Sequence, residues 1–228
     1  MRRRAVAWLV WGTWTITLAM IVPTLIFESV NVGADPLASN LLGALAFLAY
    51  ITVGALVASR RPGNAIGWLL VGAALLSAFG NLALEYAVYG LLTHLGSVPG
   101  AAWLGALGGA ARAVGYVMIG TFLLLLFPTG HLPSPRWRPL AWIALALLVL
   151  FSLSILLGDN LSAADERLAS VANPLGVLPA ATADLLQSAS AVLLFACVIG
   201  CCASVVARFR RAGGIERQQL KWLILAGL

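Results

Sequence analysis

Two charges sit inside runs that otherwise carry none: Glu85 in "LALEYAVYG" and Arg112 in "GGAARAVGY". A lone charge at mid-depth in hydrocarbon costs ~2.5 to 3.5 kcal/mol on insertion scales, so each requires a partner. An interhelical ion pair meets that need, and Asn81, one helical turn from Glu85, shares its face. Counted from the ends of their runs, Glu85 lies roughly 9 Å and Arg112 roughly 13 Å deep at ~1.5 Å per residue, within one turn of each other. Two other readings stay open: Arg112 snorkelling to the interface with Glu85 protonated, or direct contact of these residues with a ligand.

Other reactive side chains are sparse. Cys197, Cys201 and Cys202 share one apolar run, and the only histidines, His94 and His131, fall in different connections. A metal centre needs more ligands than such an arrangement supplies, so the thiols read as small packing residues. No G-x-x-x-x-G-K-[ST] nucleotide cradle occurs, and "GHLPSP" places prolines two and four residues after His131, which prevents it from projecting off a helix. No cofactor, metal or catalytic residue is expected, and the chain by itself is not expected to be an enzyme.

The elements that must position these residues are apolar runs long enough for a ~30 Å hydrocarbon core. They span Ala5 to Phe27, Ala38 to Ser59, Ala65 to Leu91, Trp103 to Phe127, Arg138 to Gly158 and Asp184 to Arg208, with a seventh opening at Leu220. The mean hydropathy of +0.98 agrees. The expected fold is an all-α polytopic transmembrane bundle, one domain over residues 1–228, with six complete spans and the start of a seventh. "LKWLILAGL" covers about half a bilayer, so truncation within the seventh span is expected, with no soluble domain. "MRRR" precedes an apolar stretch longer than the ~7 to 15 residues of a signal h-region, which implies an uncleaved first helix.

Basic residues in short loops mark the cytoplasmic side. Twelve of the 14 lie before the first span, at Arg60 and Arg61, at Arg136 and Arg138, or at Arg208, Arg210, Arg211, Arg217 and Lys221; Arg167 alone sits in an opposite loop. Six of the eight acidic residues, Glu28, Asp35, Asp159, Asp165, Glu166 and Asp184, lie in or beside the connections on that opposite side. The N-terminus is therefore expected inside. Positive charge divided among four stretches on one face suits anionic headgroups and argues against nucleic acid despite a pI near 9.9.

"LFPTGHLPSPRWRPL" holds four of the ten prolines. Pro128, Pro133, Pro135 and Pro139 end the fourth helix and stiffen the turn, and Trp137 and Trp142 suit the interface. Gly105, Gly108 and Gly109, followed by Ala113, form a small-residue face suited to packing within the chain or to a homodimer seam. The longest connection, Gly158 to Ala183, reads as a connector or as a lid; its Asp159, Asn160, Asp165, Glu166, Asn173 and Pro174 are the candidate sensing residues.

Four stretches, "SRRPGNAIGWLL" (Ser59 to Leu70), "LLLFPTGHLPSPRWRPLAW" (Leu124 to Trp142), "RFRRAGGIERQQLKWL" (Arg208 to Leu223) and "NPLG" (Asn173 to Gly176), resemble the N-terminal membrane region of bacterial, actinobacterial-type, sensor histidine kinases. The resemblance implies a multi-pass input or anchoring module of a two-component system in the bacterial plasma membrane. It also implies a downstream kinase, or another output domain, that this chain lacks. The alternative is a small-molecule transporter or another multi-pass membrane protein. Against a transporter, proline does not interrupt the spans at mid-membrane, where such proteins build their sites.

Overall fold

The computed structural model describes residues 2–33, 36–211, 213, 214 and 218. The run from Leu220, with Arg217, Lys221 and Asp35, lies outside them. Among the described residues seven α-helices follow in order: α1 Arg2–Val30, α2 Leu37–Arg60, α3 Ala65–Val88, α4 Ala101–Met118, α5 Leu124–Leu126, α6 Arg138–Leu157 and α7 Ala180–Arg211. A π turn, Tyr89–Thr93, extends α3, and another, Ile119–Leu123, joins α4 to the single turn of α5. Among the described residues six stretches are long and apolar enough to cross a bilayer. The chain is an all-α, multi-pass membrane protein whose spans coincide with the apolar runs.

Local sequence sets the helix ends. Asn64 caps α3 by accepting from the Ile66 amide at 3.0 Å, and Pro139 enters the first turn of α6, where its missing N–H costs nothing. The buried hydroxyls of Thr17 and Thr121 return to the carbonyl one turn back, whereas those of Ser77, Ser152 and Ser204 are buried without a hydrogen-bond partner.

The helices of the central pair, α3 and α4, approach most closely where side chains are absent. A Cβ on Gly80 would stand 2.6 Å from the Arg112 amide nitrogen, and one on Gly108 would stand 2.8 Å from the Ala83 methyl. Gly105 faces Ala87 and Leu161, and Gly109 faces Ala164 and Ile155. The glycine face of the fourth span thus packs within its own chain, against α3 and the long connection. Cys197 and Cys201 are buried and unbridged, and Cys202 is exposed.

The helices alternate in direction, and one end of the bundle collects Arg60, Arg61, Arg136, Arg138, Arg208 and Arg210. We call this the arginine-rich end. The other carries Glu28, Glu85 and the Gly158 to Ala183 connection, and we call it the acidic end.

Candidate functional site

The Gly158 to Ala183 connection is folded, not slack. Leu161, Ala164 and Leu168 are buried against Ala87, Val88 and Ala106 or against Leu84 and Ile155. Its ends are tied: the Asp159 amide donates to the Leu178 carbonyl at 3.0 Å, and the Asp159 carboxylate accepts from the Ala180 amide at 3.0 Å, at the positive end of α7. Buried Asn173 donates to the carbonyls of Leu156 and Gly158 and accepts from the Leu175 amide. That places the "NPLG" stretch as a staple. Asn160 accepts from the Ser162 amide at 3.0 Å, and Pro174 is exposed. Asp159, Asn160 and Asn173 therefore build the lid, and only Asp165 and Glu166 of the six candidates face what lies beneath it.

Beneath the lid is a cavity of about 410 Å³ lined by Glu28, Gly33, Asn40, Asn81, Glu85, Arg112, Asp165, Glu166 and Arg167. The ends of α1 to α4 supply the wall, so short neighbouring loops are no obstacle to a pocket here. Arg167 organises it. Its guanidinium donates to Glu85 at 2.5 Å and to Asp165 at 2.9 Å, and its backbone amide donates to Asp165 at 3.0 Å. Asn31 in turn donates to the Glu85 carboxylate at 2.8 Å and to its backbone carbonyl at 2.9 Å, and accepts from Thr93 at 3.1 Å.

The partner of Glu85 is thus Arg167, not Arg112. Arg112 donates instead to the Ala164 carbonyl of the lid at 2.5 Å. Its backbone packs closely on α3, where a Cβ at Gly80 would stand 2.6 Å from the Arg112 amide nitrogen. Asn81 lines the cavity beside Glu85, but among the described residues nothing hydrogen bonds to its amide.

Charge compensation is uneven. Burial raises the Asp165 carboxyl, but the hydrogen bonds from Arg167 outweigh it and hold the group below its ordinary 3.8. The bond to Asp165 raises Arg167 further, against burial and with help from Glu85. The network carries its charges as an ion pair extended by a second carboxylate.

Sequence reasoning passed over Asn31 and Arg167. For Arg167 a signal existed: it is the one basic residue in an otherwise acidic set of connections, and an exception to the charge rule needs a local anion.

The arginine-rich end holds a second cluster. Buried Arg208 of α7 donates to the carbonyls of Leu125 at 3.1 Å, of His131 at 2.5 Å and of Phe127. These carbonyls are released where the prolines end the fourth span, so the guanidinium fork takes the place of the missing helical donors. Gly130, at φ +79°, lets the elbow lie against Asn64; a Cβ there would stand 2.9 Å from the Ala65 amide nitrogen. Arg60, Arg61, Arg136 and Arg138 are exposed, Trp137 is partly buried and Trp142 is 68% exposed. No group of three or more His, Cys, Asp or Glu among the described residues is arranged to hold a metal ion.

In comparisons with known proteins, no family model, curated protein or solved structure matches the chain.

Proposed function

We propose that the chain is the membrane-embedded input and anchoring module of a two-component sensor histidine kinase of the bacterial cytoplasmic membrane. In this reading the arginine-rich end faces the cytoplasm and its headgroups, the lidded cavity faces outward, and phosphoryl transfer belongs to an output domain outside this chain.

One observation carries the reading. The stretches that resemble kinase membrane regions are distant in sequence, yet they join: Arg208 of the third holds the elbow of the second, and Gly130 of the second rests on Asn64 of the first. The fourth span connects the two clusters, since Arg112 holds the lid at one end and the carbonyls of Leu125 and Phe127 hold α7 at the other. A ligand that altered the lid would have a packed route to α7 at the arginine-rich end.

The transporter alternative draws less support, because the polar cavity lies at the ends of the helices and Pro23 is the sole proline inside a described span helix beyond its first turn. The test is the complete product of the gene that encodes this sequence. Incubated with labelled ATP, the full product is expected to incorporate phosphate on a histidine and residues 1–228 alone to incorporate none. A full product without a nucleotide-binding domain would overturn the proposal.

A further inference from the structure

At the arginine-rich end a groove of about 330 Å³ opens between α2 and the elbow, lined by Leu56, Val57, Arg60, Arg61, Asn64 and Pro128. Leu56 stands one turn before Arg60, and Val57 one turn before Arg61, whose amide donates to the Val57 carbonyl at 2.7 Å. The groove therefore changes character along the helix, from cationic at the end of the span to apolar about 6 Å deeper. The membrane-crossing stretch of α2 ends at Arg60. In a bilayer the apolar wall thus lies in hydrocarbon and the charges lie at the headgroups.

The cations of the groove are uncommitted. Both arginines are exposed, and among the described residues neither guanidinium takes part in a hydrogen bond or an ion pair. The described carboxylates, from Glu28 to Asp184, all belong to the acidic end, so none is at hand to neutralise them. Asn64 adds a third donor. Its Oδ1 accepts from the Ile66 amide at 3.0 Å, and among the described residues its Nδ2 has no acceptor.

We propose that this groove binds one anionic phospholipid, with the phosphodiester held by Arg60 and Arg61 beside Asn64 and an acyl chain laid along Leu56 and Val57. A soluble phosphate would leave the apolar wall unused, and a zwitterionic lipid would bring an ammonium group to a site that already holds two positive charges. The lipid would also brace the elbow, because Pro128 follows Phe127, whose carbonyl accepts from Arg208 of α7. The assignment rests on the reading of this end as the one that meets anionic headgroups, and it stands without a kinase.

The test titrates the detergent-solubilised chain with dioleoylphosphatidylglycerol and reads bound lipid by native mass spectrometry. One lipid is expected to bind roughly tenfold tighter than dioleoylphosphatidylcholine, whose ammonium group meets like charge. Arg60→Gln with Arg61→Gln should weaken binding roughly tenfold or more, whereas Arg136→Gln with Arg138→Gln, which removes the same charge from the same end outside the groove, should weaken it less than about threefold. Both double variants should fold, because all four side chains are exposed, and melting in phosphatidylcholine nanodiscs checks this. Glycerol 3-phosphate should not displace the lipid. Equal losses in the two double variants would reduce the site to diffuse surface charge, and displacement by glycerol 3-phosphate would make it a site for soluble phosphate. Either result, or equal affinity for the two lipids, would overturn the proposal.

Discussion

The Glu85 carboxylate and the Arg167 guanidinium meet at 2.5 Å although 82 positions separate them, with Asn31 donating to the same carboxylate at 2.8 Å. This bond pins the lid to α3 and gives Glu85 the partner that its depth requires. Truncating either residue leaves the other charge partly buried and uncompensated, which costs more than losing both. Glu85→Ala and Arg167→Ala are each expected to destabilise the protein in nanodiscs by roughly 1 to 3 kcal/mol, with the double variant well short of the sum. The same cycle on Glu85 and Arg112 should show the smaller coupling, and the reverse order would refute the assignment.

Asp165 gives the lid an acid limit. Its folded pKa lies below 3.8, chiefly because the Arg167 bonds outweigh desolvation. A depressed carboxylate contributes stability that is fully present above its unfolded pKa and is lost as pH falls through the folded value. The melting temperature should therefore drop more steeply below about pH 4 in the wild type than in Asp165→Asn. Parallel acid profiles would show that the carboxylate contributes nothing.

Arg208 is expected to hold the elbow by its shape as well as its charge. Arg208→Ala strips donors from the carbonyls of Leu125, Phe127 and His131 and should cost about 2 kcal/mol or more. Arg208→Lys keeps the charge without the planar fork and should recover only part of the loss. Full recovery by lysine in a denaturation series would argue that a point charge is enough.

The close approach of α3 and α4 makes a contrast between two glycines of one helix. A Cβ at Gly80 would stand 2.6 Å from the Arg112 amide nitrogen, whereas nothing lies within 4 Å of one at Gly72. Gly80→Ala should destabilise by about 1 to 3 kcal/mol, while Gly72→Ala should be neutral or stabilising by up to about 1 kcal/mol. Equal melting temperatures for the two variants would contradict the packing.

The proposed orientation is open to chemical labelling. In a chain lacking Cys197, Cys201 and Cys202, a cysteine at Ser134 in the elbow should react with an impermeant maleimide only after the membrane is opened, and one at exposed Pro174 in intact cells. Reaction at Ser134 in intact cells would invert the topology.

What could be read directly from the residues was whatever depends on a window of neighbours. Hydropathy over some 20 positions matches the thickness of hydrocarbon, so all six spans were legible, and the prolines after Phe127 announce that the fourth helix must stop. That Glu85 calls for a counter-charge, a proton or a ligand was equally plain. Its partner was not, because Arg112 matches it in depth while Arg167 sits in a connection whose position no pattern fixes, and only the folding of the Gly158 to Ala183 connection over α3 brings Arg167 to 2.5 Å and sends Arg112 to a lid carbonyl. Arg208 teaches the same lesson from the other end: its acceptors are backbone carbonyls, which every residue possesses and no pattern of side chains advertises. Tertiary structure decided these pairings because a charge in a low-dielectric setting takes the partner that packing brings within hydrogen-bonding reach, and distance along the chain does not enter that choice.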